Sequence, residues 1–272
     1  PAFDDGSWRT LDLPHDWAIE LPYDPAGDQE LADHGYRMLG PNYPAHSVGW
    51  YRKSFEIPAT DLGRRIWVEF DGVFRDSIFW LNGHMLGRHL SGYTPARFDI
   101  TDYVHYGQRN TLVVRIDAST YEGWFYEGAG IYRHVWLVKC GPVHVETGGL
   151  FVTCEVSEGA AKVSVSAEVA NDGNQNANAG LVVAIFDPDG REIGSASADP
   201  RALVAGDKAA FSANCTVRNP QLWSCDQPRL HRARVALVDG TREVDVIETT
   251  FGIRSLRWDA DRGFFLNGAP LK

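Results

Sequence analysis

Cysteine, methionine and positive charge are all scarce in this sequence. Four Cys in 272 residues are too few for a disulfide framework. Cys140, Cys154, Cys215 and Cys225 never stand in a CxxC pair, so a zinc site of that kind is excluded. They read as small buried hydrophobes, and Cys215 and Cys225 could bridge only in an oxidising compartment. Lys and Arg number 26 against 36 Asp and Glu, a net charge of −10. No basic stripe exists for a nucleic-acid partner. No apolar run approaches the roughly 18 residues that a membrane span needs, which excludes a membrane partner of that type. The opening Pro1-Ala2-Phe3-Asp4-Asp5 has neither the basic nor the apolar region of a signal peptide. The true N-terminus is expected upstream, so cytoplasmic, periplasmic and secreted locations all stay open. Nucleophile-elbow and P-loop motifs are also missing. Gly128-Ala129-Gly130-Ile131-Tyr132-Arg133 opens like a dinucleotide fingerprint but carries Arg133 where the third glycine belongs. His84 and His89 could pair on a metal but have no carboxylate beside them, and Asn214-Cys215-Thr216 is a glycosylation sequon by pattern alone.

What the chain does have is aromatic mass and period-two alternation. It holds 9 Trp, 10 Tyr and 13 Phe, large flat side chains that suit sandwich cores and sugar-binding surfaces. Ile66, Val68 and Phe70 alternate with Trp67, Glu69 and Asp71, which predicts a strand. Ser77 to Leu81 ends at Asn82-Gly83, a two-residue hairpin signal, and Met85 to His89 returns antiparallel. Thr111 to Ile116 and Tyr132 to Val138 read as further strands. Val163, Val165, Ala167 and Val169 face one way, and Ser164, Ser166 and Glu168 the other. Leu181 to Phe186 runs into the turn Asp187-Pro188-Asp189-Gly190, and Ala233 to Leu237 turns at Asp239-Gly240 and returns as Glu243 to Thr249. The Asn-rich stretch 171–178 reads as a loop. No long amphipathic helix is evident. The expected class is all-β, with two sandwiches. The aromatic strands give way to Val, Ala and Ser strands around Gly141-Pro142. That places domains at 1–141 and 142–252, with 253–272 as a partnerless hairpin at the threshold of a third.

Three segments are denser than a sandwich requires. In Leu13-Pro14-His15-Asp16-Trp17, the His-Asp adjacency reads either as a carboxylate orienting an imidazole or as a clasp that ties down a loop and packs Trp17. In Gly49-Trp50-Tyr51-Arg52-Lys53, a buried Trp50 with Arg52 and Lys53 reaching outward is expected. The third segment, Tyr121 to Gly130, packs four aromatics, two carboxylates and three glycines into ten residues. Aromatic faces stack on the C–H face of a pyranose and carboxylates accept its hydroxyl hydrogens, so Glu122, Trp124 and Glu127 are the candidate substrate-binding residues. An aromatic plug between domains would account for the same composition.

The order and spacing of these motifs is similar to the N-terminal part of glycoside hydrolase family 2, the β-galactosidase group especially. Leu13 to Trp17, Gly49 to Lys53, Phe70-Asp71-Gly72-Val73, Trp80-Leu81-Asn82-Gly83-His84, Gly92-Tyr93-Thr94-Pro95, Phe98-Asp99-Ile100-Thr101 and Gly128 to Arg133 carry the resemblance in the first domain. Asn219-Pro220-Gln221-Leu222-Trp223 carries it in the second, and Phe251 to Arg254 with Gly263 to Lys272 resembles the lead-in to that family's catalytic barrel. The resemblance implies a jelly-roll, sugar-binding-type domain followed by an immunoglobulin-like sandwich, with the first residues of a truncated TIM barrel. It further implies a retaining hydrolase whose two catalytic Glu residues lie on barrel strands outside this chain, so this fragment should be inactive and hold no cofactor. Sodium or magnesium is implied for the parent enzyme. The implied partners are the chain's own C-terminal barrel and a β-galactoside-type carbohydrate, with self-association through faces the barrel would cover. Gly123-Trp124-Phe125-Tyr126 stands where many relatives have Ser-Arg-Trp-Tyr, which removes a charged donor. β-Glucuronidase and β-mannosidase parents share the architecture, and an autonomous carbohydrate-binding module, or a ligand-free adhesion sandwich, would share the fold.

Overall fold

The computed structural model describes residues 3–20, 48–119 and 128–271. They divide into two compact units, Pro1–Lys139 and Cys140–Lys272. Regular structure is almost all antiparallel strand, with only single 3-10 turns as helix among the described residues.

Unit 1 is built from β1 (Val48–Ile57), β2 (Arg65–Phe70), β3 (Ser77–Leu81), β4 (His84–His89), β5 (Ala96–Asp99), β6 (Gln108–Asp117) and β7 (Val135–Cys140). One sheet has the order β1-β6-β3-β4 and the other β5-β2-β7. Their inner faces share one core: Ile57, Leu112, Val114, Phe79 and Leu81 from the first, Ile66, Val68, Phe70 and Ala96 from the second. Phe79 lies 4.7 Å, centroid to centroid, from both Phe70 and Phe98, so three phenyl rings fill the middle of the sandwich. Trp67, on the other side of β2, is also buried, because the Arg97 guanidinium lies 4.4 Å over its ring. The β3–β4 turn forms at Asn82-Gly83 as expected, with φ of +51° and +89°. The Asn82 side chain donates to the Asn110 Oδ1 at 2.8 Å and accepts the Thr111 N–H at 2.9 Å, pinning the turn to β6.

Strand parity overturns the expected burial of Trp50. Tyr51, Phe55 and Ile57 point into the core, so Trp50 must point out, and it is 48% exposed.

Unit 2 contains β8 (Val143–Ser157), β9 (Ala160–Asn171), β10 (Ala177–Phe186), β11 (Glu192–Leu203), β12 (Lys208–Arg218), β13 (His231–Asp239) and β14 (Arg242–Phe251). Three strands, β12-β9-β8, face four, β11-β10-β13-β14, an immunoglobulin-like arrangement. Val163, Val165, Ala167 and Val169 do face the core, opposite Leu181, Val183, Ile185, Val235 and Leu237. The stretch 171–178 is shorter as a loop than expected. Asn171 ends β9 and is buried, donating to the Leu203 and Gln175 carbonyls, and Ala177 and Asn178 already belong to β10. None of the four cysteines forms a disulfide: Cys215 is buried, Cys140 and Cys154 are intermediate, and Cys225 is exposed, so burial does not describe the set.

The segment beyond residue 252 is not a partnerless hairpin. β15 (Leu256–Asp259), β16 (Gly263–Leu266) and β17 (Ala269–Pro270) form a three-stranded sheet. The Asn267 side chain donates to the Trp223 carbonyl at 2.9 Å and accepts the Ser255 N–H at 3.0 Å. Asp259 holds Arg257 and Arg262, mainly through Arg262, which pulls its carboxyl down to about 2.

One buried group in unit 2 is left without a hydrogen-bond partner. His231 is 0% exposed and packs on Phe251, and neither ring nitrogen is bonded. Burial pushes its pKa below the ordinary histidine value, with Asp187 opposing. A histidine lowered in this way is neutral in the folded state and protonates more readily when unfolded. Its stabilising contribution is therefore full above the unfolded value, near 6.5, and is lost as the pH falls below that. The expected outcome is a melting temperature for unit 2 that falls between about pH 7 and pH 5 and a shallower slope in His231→Leu, measured by thermal unfolding across that range. An identical slope in the variant would assign the effect to another group.

Candidate functional site

The three sequence-predicted site residues, Glu122, Trp124 and Glu127, lie outside the described residues. The structure instead defines the two ends of the segment that carries them. At the N-terminal end, β6 finishes at Asp117. Its N–H donates to the Arg75 carbonyl at 3.1 Å, and its carboxylate accepts from Arg115 at 2.9 Å and from the Ser119 hydroxyl. The Ser119 bond is the main reason its pKa is lowered.

At the C-terminal end, the chain is held by the Leu13–Trp17 segment. His15 N–H donates to the Ile131 carbonyl and Trp17 N–H to the Ala129 carbonyl, both at 2.8 Å. Asp16, between them, turns its Oδ1 to accept the Ala129 N–H at 2.9 Å and the Ala18 N–H at 2.8 Å. Gly130 and Phe74 exchange two backbone bonds of 2.9 Å on the other side. Residues 129–131 are thus a strand-like rung clamped on both edges. Gly130 has a φ of +138°, and a Cβ there would sit 2.4 Å from the His15 carbonyl oxygen and 2.7 Å from the Tyr51 hydroxyl. Only glycine fits.

The clasp reading of this motif holds, and the orienting reading does not. Asp16 bonds backbone, and the His15 imidazole is held by other groups. Its Nδ1 meets the Tyr51 hydroxyl at 2.7 Å, and its Nε2 lies 2.8 Å from Arg9 Nη2 and 3.2 Å from Glu20 Oε1. Arg9 also donates to Glu20 at 2.8 Å, the largest cause of that carboxyl's lowered pKa. Burial pushes the Tyr51 hydroxyl well above the ordinary phenol value, so it stays protonated. Trp17 lies across Gly49, where a Cβ would come within 2.5 Å of its ring.

A cavity of about 1100 Å³ opens in unit 1 beside this clasp. Core side chains Val68, Phe70, Leu112 and Val114 are among its lining, so part of it is the open mouth of the sandwich. Asp5, Arg9, Asp12, His15 and Tyr51 also line it, so the cavity has a polar wall beside the apolar one. No group of three or more His, Cys, Asp or Glu that could hold a metal occurs among the described residues. His84 instead packs on Tyr103, and His89 faces Thr94. The arrangement can hold and present a loop. The His15–Tyr51–Glu20–Arg9 cluster escaped the sequence reading because its members are spread over residues 9–51, and the motif itself gave no sign of Tyr51 as a partner.

Comparison with known proteins matches both units. The model of Glycosyl hydrolases family 2, sugar binding domain, matches residues 8–141, and that of Glycosyl hydrolases family 2 matches residues 143–254. The chain is 37% identical to Beta-galactosidase BoGH2A of Bacteroides ovatus, over 100% of this chain and 31% of that protein. It is 34% identical to a putative beta-glucuronidase of Formosa agariphila, over 99% of this chain and 24% of that protein. Among solved structures, a family 2 member from Bacteroides cellulosilyticus superposes with a TM-score of 0.85 at 32% identity, over 98% of this chain and 35% of that one. A beta-glucuronidase from glycoside hydrolase family 2 superposes with a TM-score of 0.88 at 27% identity, over 100% of this chain and 30% of that one. The chain spans about a third or less of the length of these relatives. With both sandwiches matched along nearly their whole length, the chain belongs to glycosyl hydrolases family 2.

Proposed function

We propose that this chain is the non-catalytic N-terminal region of a retaining β-galactosidase, supporting the catalytic barrel and lining the edge of its sugar pocket. The observation that carries the reading is the clamp on residues 129–131. A rung bonded on one edge by Asp16, His15 and Trp17, and on the other by Phe74, fixes where the segment 120–127 must end. A loop with defined ends on a rigid sandwich is a way of presenting binding groups. Glu122 and Glu127 would accept hydrogen bonds from sugar hydroxyls, and Trp124 would stack on the pyranose face. Hydrolysis itself would rest on two barrel carboxylates about 5–5.5 Å apart, as in retaining enzymes generally. Sodium or magnesium would serve the parent enzyme.

The relatives' names divide between galactosidase and glucuronidase. Residues 120–127 contain two glutamates and neither Lys nor Arg. A uronate carboxylate would meet like charge there, which supports a neutral sugar over a glucuronide. A lectin-like module centred on Trp124 is the competing reading.

Three outcomes are expected. The purified chain should leave a nitrophenyl β-galactoside intact and bind galactose, lactose and glucuronate negligibly, while a longer polypeptide that includes the barrel hydrolyses the galactoside. Turnover by the chain alone would sink the proposal, and sugar binding lost in Trp124→Ala would favour the module. In the longer polypeptide, Glu122→Gln and Trp124→Ala should raise KM by about tenfold with a smaller change in kcat, because they touch the sugar and not the reacting bond. Asp16→Ala in the present chain should cost about 1–3 kcal/mol of stability and speed hydrogen exchange at the Ala129 amide. Unchanged exchange would show that the clamp does not depend on the carboxylate.

A further inference from the structure

The outer face of the β1-β6-β3-β4 sheet plays no part in the clasp. Parity places Trp50 and Arg52 of β1, Val113 and Arg115 of β6, and Ile78 and Trp80 of β3 on that face. Trp50 registers with Arg115, and Val113 with Trp80, so the two indoles start two strands apart and lean together over β6. Their rings lie within 20° of parallel, with centroids 5.8 Å apart. Met85, paired with Trp80 across the β3–β4 hairpin, extends the apolar strip. Trp50 is 48% exposed and Met85 56%. Three ion pairs frame the strip: Arg52 on Asp5 at 2.7 Å, Arg115 on Asp117 at 2.9 Å, and the Arg88 fork on Asp76 at 2.6 and 2.7 Å.

We infer that this face is a binding site for a neutral polysaccharide chain, separate from the sugar pocket proposed above and independent of it. The ligand class follows from the chemistry of the strip. An exposed indole offers a flat apolar face, which matches the C–H face of a pyranose. The frame holds three arginines and three aspartates, each already paired, so it exerts little net field on a polyanion or polycation. The same pairs present fixed carboxylate and guanidinium edges to hydroxyl groups, and groups already held lose little freedom on binding. Trp50 and Met85 are the strongly exposed apolar side chains of the strip, short of the roughly 800 Å² per partner of a stable protein interface. A sugar chain crossing β6 would stack on Trp50, buttressed by Trp80, and reach Asp76 or Asp117.

Native gels cast with soluble β-1,4-galactan, arabinogalactan or galactomannan test this directly on the present chain. At least one polymer should retard the unmodified chain, and added salt should not relieve the retardation. Trp50→Ala should weaken the association by about tenfold. Arg88→Ala, at a side chain exposed enough to leave folding intact, should weaken it measurably. Trp258→Ala, at an exposed indole in unit 2, should leave it unchanged. Retardation by none of the polymers overturns the inference. So does retardation that salt abolishes, that survives in both Trp50→Ala and Arg88→Ala, or that is lost in Trp124→Ala alone, which would place binding on the loop.

Discussion

A carboxylate that accepts two backbone N–H groups ties the N-terminal segment of unit 1 to the rung at residues 129–131. Asp16 joins Ala18 to Ala129, residues brought together from 113 positions apart in the Asp16–Ala129 bond. Closing so long a loop carries an entropic cost that local propensity cannot meet. The Asp16 bonds are charge-assisted, and the flanking main-chain bonds of His15 and Trp17 share the same register. Tyr51, whose hydroxyl burial pushes further above the ordinary phenol value, then ties the imidazole of the clasp to the first strand of the sandwich. The clasp is therefore continuous with the core and not an ornament on its surface.

The two units solve the same packing problem with different residues. Unit 1 fills its centre with phenyl rings at 4.7 Å separations. Unit 2 uses alternating Val, Ala and Leu, with Phe211 the one buried phenylalanine in its main cluster. Large rings cover more area per residue and fewer are needed, whereas small branched side chains must interdigitate along the whole length of each strand. The long strands of unit 2, such as the twelve residues of β9, are consistent with that demand.

Much of this was legible in the sequence because β-structure writes itself at period two. Val163 to Val169 and the Asn82-Gly83 turn appear where alternation and turn chemistry put them. The failures have a common cause. Trp50 was expected inside because it is apolar, but the parity of Tyr51, Phe55 and Ile57 decided its side. The hairpin at Asn267 was expected to lack a partner, yet a third strand and the Trp223 carbonyl supply one from residues that give no local signal. The candidate site was legible only in its frame. The motif around Asp16 announced a clasp, while Tyr51 and Ala129, its partners, are set by tertiary register that no window of sequence displays. Glu122, Trp124 and Glu127 remain a reading of composition and resemblance.

The contact between Trp17 and Gly49 makes two distant positions a single heritable unit. Any side chain at 49 would occupy the space of the indole, and loss of the indole would leave a void over β1 that glycine cannot fill. Evolutionary drift at either site is thus conditional on the other, and a lineage that replaces the tryptophan first opens room at 49 that it could not otherwise have used.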